Sequence, residues 1–309
     1  MAKVAFEVDD VRIPVIDLDD FPAQLDKLIR ACVEWGCFRI LNHKIPATLL
    51  SDMKLVVRSL FDLPKEIKRR NGDAIDGSGY RAPSEDNPLY EAFGLYDIAS
   101  SEAVDAFCTQ LGTPPQKREI IKCYSNAIYE LAMDIGRKVA EGSGVRCDPI
   151  KGWACQFRIN RYNFTQETVG SSGVCMHTDS GFLTILQEDE CIGGLEVMDK
   201  SGAFVAVDPL PGSLLVNLGD IATAWSNGRF HNVKHRVQCK EAAIRISIAM
   251  FVLGPKDEAV EAPQEFVDPQ HPRLYAPFTY LHYRKLRLST GLRAGEALQL
   301  VHQIASTTS

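Results

Sequence analysis

The stretch "WACQFRINRY", residues 153–162, is where the hydrophobic pattern of the chain changes from a helical period to a period of two. Successive side chains of a β-strand point to opposite faces of the sheet, so this alternation predicts a strand with two unlike faces. The apolar face carries Trp153, Cys155, Phe157 and Ile159. The opposite, polar face carries Gln156, Arg158, Asn160 and Tyr162.

Six more strand candidates follow within roughly a hundred residues, separated by Gly, Pro, Asn or Asp turns. They are "GFLTILQ", "GGLEVMD", "AFVAVDPL", "SLLVNLGD", "HNVKHRVQ" and "AIRISIAMFVL". The "DKSG" between Val197 and Ala203 is typical of a hairpin turn. Because no helical pattern interrupts these strands, they predict an antiparallel sandwich or barrel such as a jelly roll.

The residues before this region are predicted to be mostly helical. "FPAQLDKLIRACVEWG" has a helical pattern that ends at Gly36, and "CFRILNH" after it indicates a strand. A longer helix is predicted with Thr113 as N-cap, Pro114 at its first position and Gln116 completing a capping box. Its buried stripe is predicted to consist of Ile121, Tyr124, Ile128, Leu131, Ile135 and Val139, and "EGSG" ends it.

These patterns predict a mixed α and β fold with two regions. Residues 1–150 form a mostly helical N-terminal region, and residues 151–309 form the jelly-roll (double-stranded β-helix) core with a C-terminal extension. The helical region is expected to pack on the core, because no low-complexity linker separates the two.

The composition is that of a soluble globular protein. The 309 residues are 45% hydrophobic and 24% charged, with a formal net charge of -6. An acidic chain of pI 5.7 gives no electrostatic reason to expect nucleic acid or an anionic membrane as partner. The N-terminal residues are charged where a signal peptide would be apolar, and no run reaches the roughly 18 apolar residues of a membrane span, so a cytoplasmic location is expected.

Nine cysteines are scattered singly through the chain, which favours free thiols in a reducing compartment over a disulfide framework. Cys147 and Cys239 stand near polar or charged neighbours, which leaves room for an exposed thiol that cross-links chains. The protein is expected to be a monomer, with self-association as the alternative.

The segment "CMHTDSGFLTIL", residues 175–186, contains a candidate metal site. In an extended strand, His177 and Asp179 project from one face and can bind one ion. Either His231 or His235 in "NGRFHNVKHRV" could supply a third ligand. Two histidines and one carboxylate on one face of an ion leave the other positions open, as in non-haem iron(II) oxygenases.

A second group of residues predicts a site for a carboxylate. In "RISIAMF", Arg245 and Ser247 share one strand face, and an arginine among β-branched residues is costly to bury unless it meets an anion. Its planar guanidinium suits a carboxylate. Asn160 and Tyr162, on the polar face of their strand, can donate hydrogen bonds to the same ligand.

Together these residues resemble the plant-type iron(II)/2-oxoglutarate-dependent dioxygenases. The resemblance rests on His177-Thr178-Asp179, on His235 56 positions beyond the aspartate, on Arg245-Ile246-Ser247 and on Asn160-x-Tyr162. "IPVIDL", "EWGCFRILNH", "LPGSLLVNLGD" and "NGRFHNVKHRV" extend it over nearly the whole chain. Within that family, "NPLYEAFGLYD", "GWACQFRINRYNF" and "HNVKHRVQCKEA" are most similar to the dioxygenases for auxin oxidation.

The resemblance implies specific roles. It implies that His177, Asp179 and His235 hold Fe(II), with His231 outside the triad. It implies that the distal carboxylate of 2-oxoglutarate meets Arg245 and Ser247, assisted by Tyr162 and Asn160. It further implies oxidation of indole-3-acetic acid, or its amino-acid conjugates, by O2 to the 2-oxindole product, with ascorbate in support.

The substrate contacts are less well defined by the sequence. The family often has two prolines after its Asn-x-Tyr, whereas Asn163 and Phe164 follow here. Rings able to contact a flat indole are Tyr80, Phe93, Phe157, Phe164 and Phe278. The donor for the acetate group stays open between Arg81, Lys234 and a hydroxyl. The alternatives are a same-family oxygenase for a gibberellin or specialised metabolite and, from another class, a non-catalytic jelly-roll binding protein.

Overall fold

A computed structural model describes residues 13–85, 87–146 and 148–302, which include two β-sheets. The strands are β1 (Val15–Asp17), β2 (Cys37–Leu41), β3 (Tyr90–Tyr96), β4 (Cys155–Asn163), β5 (Ser172–His177), β6 (Leu183–Gln187), β7 (Leu195–Met198), β8 (Phe204–Ala206), β9 (Leu214–Leu218), β10 (His235–Gln238) and β11 (Ile244–Val252). The large sheet has the order β1-β2-β9-β6-β11-β4-β3, and the small sheet the order β5-β10-β7-β8. Only β1 and β2 pair in parallel, so the predicted antiparallel jelly roll is confirmed for the described residues.

The α-helices are α1 (Leu25–Glu34), α2 (Ala47–Phe61), α3 (Lys65–Lys68), α4 (Ser101–Gln110), α5 (Pro115–Gly142), α6 (Asp220–Trp225) and α7 (Tyr280–Thr290). Five of them precede β4, and α5 packs on α1, α2 and α4. The predicted apolar stripe of α5 is buried along its whole length. The N-terminal region also supplies β1, β2 and β3 to the large sheet, so the helices and the sheet share one hydrophobic core.

The two faces of β4 and β11 separate this core from the site. The two strands pair antiparallel with Arg245 opposite Tyr162 and Ser247 opposite Asn160. Ile246, Ile248, Phe157 and Ile159 point into the main core, as their alternation predicts. The polar residues therefore line the space between the two sheets.

Three details of the sequence analysis need correction. Helix α5 has Pro114 as its N-cap and no side-chain cap, so the capping box from Thr113 is wrong, and the Thr113 hydroxyl is buried without a hydrogen-bond partner. Strand β3 lies in the region predicted to be mostly helical, where Gly94 and the charged Glu91 obscured its pattern. Strand β5 ends at His177, so Asp179 lies in the turn before β6 and not in the strand.

The hairpin predicted at "DKSG" joins β7 to β8. It is closed by backbone hydrogen bonds from the Asp199 N–H to the Ala203 carbonyl and from the Gly202 N–H to the Asp199 carbonyl. Cys147 lies outside the described residues, and Cys239 is buried. Across the described ranges, no helix is both long and apolar enough to cross a membrane.

Candidate active site

Two adjacent strands of the small sheet bring three metal-binding side chains together. His177 at the end of β5 pairs with His235 at the start of β10, and their rings lie 4.2 Å apart. Asp179 Oδ1 lies 3.8 Å from His177 Nε2 and 3.7 Å from His235 Nε2. One donor atom from each residue falls within 4.8 Å of the others, which is a suitable spacing for a single ion.

Neighbouring groups orient each of these side chains. The Nδ1 atom of His177 donates to the Cys175 carbonyl at 2.9 Å, and Nδ1 of His235 donates to the Val233 carbonyl at 3.1 Å. Each imidazole therefore presents Nε2 to the shared space. Thr184 donates its hydroxyl to the other carboxylate oxygen of Asp179 at 2.6 Å. Such contacts fix the tautomer and the orientation of metal ligands.

The imidazole of His177 is suited to bind a cation. Burial and the neighbouring His235 lower the pKa of His177 to about 4, so its imidazole is neutral near pH 7. His231, the other sequence candidate, is exposed and is not part of the cluster.

A cavity of about 120 Å³ extends from the triad between the two sheets, and we call it the Arg245 cavity. Its polar lining includes Tyr90, Arg158, Asn160, Tyr162, Thr184, Asn217, Arg245 and Ser247. Arg245 is 1% exposed, and its Nε and Nη1 have no hydrogen-bond partner among the described residues. A buried guanidinium without an anionic partner is costly, so this cavity is built for a bound carboxylate.

A hydrogen-bonded row lies next to Arg245. The Tyr90 hydroxyl donates to Asn160 Oδ1 at 2.8 Å, and Asn160 Nδ2 donates to Ser247 Oγ at 3.3 Å. The Arg245 guanidinium lies 5.2 Å from the centre of the Tyr162 ring. The structure thus brings together all four residues predicted to contact 2-oxoglutarate and adds Tyr90, which the sequence analysis missed.

Comparisons with known proteins match this site and this fold. The sequence model of the 2OG-Fe(II) oxygenase superfamily matches residues 153–254, and that of the non-haem dioxygenase in morphine synthesis N-terminal domain matches residues 13–96. The chain is 57% identical to the 2-oxoglutarate-dependent dioxygenase DAO of Oryza sativa over 93% of its own length and 98% of that protein. The chain belongs to the 2OG-Fe(II) oxygenase superfamily.

Two solved structures of related dioxygenases have the same fold as this chain. The crystal structure of the dioxygenase for auxin oxidation from rice superposes with a TM-score of 0.87 at 55% identity, covering 94% of this chain and all of that one. A 2-oxoglutarate complex of dioxygenase for auxin oxidation 1 from Arabidopsis thaliana gives a TM-score of 0.83 at 55% identity, covering 85% of this chain and all of that one. A gibberellin 2-beta-dioxygenase from rice is 32% identical over 94% of this chain and 88% of that protein.

The protein is therefore a 2-oxoglutarate-dependent dioxygenase whose cofactor is Fe(II). The residues present fit both groups. Two imidazoles and a carboxylate form the three-sided donor set of this iron chemistry, and the unpaired guanidinium of Arg245 lies in the same cavity.

None of the five aromatic residues predicted to contact the substrate is among the residues that line the Arg245 cavity. Phe157 lies on the core face of β4 and packs on Tyr124, which its alternation with Asn160 already required. Phe93 is fully buried among Phe61 and other core rings. Both side chains belong to the helical side of the large sheet.

The other three aromatic residues have structural partners as well. Tyr80 donates its hydroxyl to Glu91 and packs on Phe93. Phe164 stacks on Tyr162 at 5.6 Å, and Phe278 packs on Tyr283 at 5.4 Å. Hydrophobicity alone does not tell a core ring from a pocket ring, and here core packing accounts for these contacts.

Proposed function

We propose that this protein oxidises indole-3-acetic acid, or its amino-acid conjugates, at the indole ring to the 2-oxindole product and so inactivates auxin. The observation that carries the proposal is the 57% identity to the rice DAO enzyme over nearly the full length of both chains. The gibberellin dioxygenase of similar coverage is only 32% identical. Enzymes of one fold act on different substrates, so the greater overall similarity to the rice DAO enzyme favours its substrate class.

In this proposal His177, Asp179 and His235 hold the iron on one side and leave its remaining positions to 2-oxoglutarate and O2. When bound there, iron and 2-oxoglutarate would supply the activation of dioxygen, so that one oxygen atom would enter the substrate and the other would enter succinate as carbon dioxide is lost. The chain's own contribution is to fix the three donor atoms and to keep water away from the reacting groups. The burial of Asp179 and His235 supports both tasks.

Arg245 and Ser247 take the distal carboxylate of 2-oxoglutarate in this proposal. The two free nitrogens of Arg245 supply charge-assisted hydrogen bonds, and the Ser247 hydroxyl lies on the same strand face. Tyr162 and Asn160 form the adjoining wall from β4.

Turnover of a substrate panel tests the proposal. Purified protein with Fe(II), ascorbate and 2-oxoglutarate is incubated with indole-3-acetic acid, its aspartate conjugate, a gibberellin and a flavonoid, and the products are weighed by mass spectrometry. An auxin form should gain one oxygen, which labelled dioxygen supplies. An Asp179→Ala variant is the matched control, because it lacks one iron ligand and should form no product.

Each other outcome has a defined meaning. Turnover of the gibberellin or the flavonoid with neither auxin form oxidised would contradict the substrate assignment and leave the dioxygenase chemistry in place. Absence of succinate release with every panel member would favour the non-catalytic binding protein instead.

A further inference from the structure

A second cavity, of about 210 Å³, also borders the triad. Its lining consists of Gln156, Arg158, His177, Thr178, Asp179, Ser180, Phe251, Leu253, Arg284 and Arg287. We call it the Arg284 cavity. It shares His177, Asp179, Arg158 and Phe251 with the Arg245 cavity, so a molecule bound there lies against the same metal-binding residues.

Three arginines line this cavity, and one of them is already neutralised. Arg287 forms a buried ion pair with Asp220 and also donates to the hydroxyl and the carbonyl of Thr178. The positive charge of Arg287 is therefore compensated by Asp220. Arg287 holds α7 against the metal-binding turn and is not free to bind a ligand.

Arg158 and Arg284 have no carboxylate partner among the described residues. Arg158 donates only to the carbonyls of Gly77 and Gly79. Arg284 donates to the Asp76 carbonyl and, at 3.3 Å, to the Tyr280 hydroxyl. Carbonyl and hydroxyl oxygens satisfy hydrogen bonds but leave the two positive charges uncompensated.

Arginine side chains lie close together at the Arg284 cavity. The guanidinium nitrogens of Arg284 and Arg81 both lie 3.4 Å from the position that a Cβ on Gly77 would occupy. Burial lowers the pKa of Arg158, and the nearby charges of Arg81 and Arg284 lower it further. Arg81 is paired with Asp73 at 2.9 Å, which leaves Arg158 and Arg284 as the cationic pair that an anion would stabilise.

A neutral polar group lies beside this pair. Gln156 shares its strand face with Arg158 and lines the cavity, so its amide is placed to hydrogen-bond a ligand there. Phe251 and Leu253 supply the apolar part of the wall. The cavity thus combines two cations, one amide and an apolar surface.

We propose that the Arg284 cavity binds the carboxylate of the substrate between Arg158 and Arg284, with the apolar body of the substrate against Phe251 and facing the triad. This inference rests on the proposed function, because it takes the substrate to be a small aromatic acid. It assigns Arg158 and Arg284 as the groups that distinguish the acid from its neutral derivatives, in place of the open choice among Arg81, Lys234 and a hydroxyl.

The test compares indole-3-acetic acid with indole-3-acetamide, which keeps the indole and removes the charge. The ratio of kcat/KM for the acid to kcat/KM for the amide is measured in the wild type and in Arg158→Gln and Arg284→Gln. Each variant loses charge-assisted hydrogen bonds to the acid only, so the ratio should fall about tenfold or more. Arg284→Lys should restore part of it, because the charge is kept without the planar geometry.

Arg81→Gln is the matched control. It makes the same substitution in the same neighbourhood, but Asp73 already neutralises that arginine, so the ratio should stay at the wild-type value. A ratio that is unchanged in both Arg158→Gln and Arg284→Gln, or equal losses for acid and amide, would overturn the inference while auxin oxidation stands. If the wild type oxidises neither indole-3-acetic acid nor its aspartate conjugate, the proposed function fails instead.

Discussion

The Arg245 cavity and the Arg284 cavity are both lined by His177 and Asp179, yet the sequence predicts the residues of the first cavity and not those of the second. The named residues of the Arg245 cavity lie on strands, apart from Asp179, and their alternation along β4 and β11 predicts which side chains share a face. The Arg284 cavity is assembled from β4, β11, the turn after β5 and helix α7, which lie far apart in the sequence. A periodic pattern therefore identifies the first site, whereas only the tertiary fold creates the second.

The triad that the two cavities share is where a single substitution has the largest expected effect. His235→Ala should abolish iron binding and succinate release, because two remaining donors leave an incomplete site. His231→Ala is the matched control, four residues away and exposed, and should keep both. Iron content and succinate formation are the two measurements. Retention of iron by His235→Ala together with its loss from His231→Ala would reverse the ligand assignment.

The contrast between the arginines of the Arg284 cavity predicts a loss of stability. Arg287→Met leaves Asp220, which is fully buried, without its cationic partner, so the free energy of unfolding should fall by about 3–5 kcal/mol. Chemical denaturation measures the free energy of unfolding of each variant. Lys285→Met, on the exposed side of α7, should change stability by about 0.5 kcal/mol or less. Equal stability of the two variants would show that the Asp220 ion pair does not hold α7 in place.

The Arg245 cavity predicts a selective defect in cofactor use. Arg245→Leu should raise the 2-oxoglutarate concentration needed for half-maximal turnover at least about tenfold, because it removes charge-assisted hydrogen bonds worth about 1.5–3 kcal/mol. Iron content should be unchanged. Arg245→Lys should recover part of the loss. Unaltered 2-oxoglutarate dependence in Arg245→Leu would move the cofactor carboxylate to another part of the site.

The smallest expected effect concerns the orientation of Asp179. Thr184→Val removes the hydroxyl that donates to this carboxylate while keeping the side-chain shape, so iron affinity should fall about tenfold. Thr184→Ser keeps the donor and should bind iron nearly as well as the wild type. Titration with Fe(II) under anaerobic conditions measures both affinities. Equal affinities for the Val and Ser variants would mean that this hydrogen bond does not position Asp179.

These contrasts also mark how far the sequence could predict the structure. The seven strands from β4 onward that show a period of two were identified, because alternation encodes both strand and face. The same alternation placed Asn160, Tyr162, Arg245 and Ser247 on the faces that line the Arg245 cavity. Strand β5 was missed because Gly173 and the run Val174, Cys175 and Met176 show no alternation of apolar and polar side chains. Tyr90 was missed because β3 contains Gly94 and the buried Glu91, which pairs with Lys68 and Arg161 through tertiary contacts.

The residues considered for substrate binding show more clearly what the sequence could not predict. Phe157 and Phe93 have the chemistry that an indole would favour, but packing against Tyr124 and Phe61 places them in the core. Arg284 lies in a helix with several basic residues, and nothing in its local sequence separates it from Lys285. Its role depends on the nearness of Arg158 and of the 76–79 backbone, which is a property of the fold.

The central claim is that 2-oxoglutarate binds in the Arg245 cavity and the substrate carboxylate in the Arg284 cavity. A crystal structure of the protein with Mn(II), 2-oxoglutarate and indole-3-acetic acid, grown without oxygen, tests this claim most directly. The account predicts a metal ion bound by His177, Asp179 and His235, with the distal carboxylate of 2-oxoglutarate on Arg245. The acetate group should lie between Arg158 and Arg284. A metal held by His231, or 2-oxoglutarate with its distal carboxylate against Arg284, would contradict it.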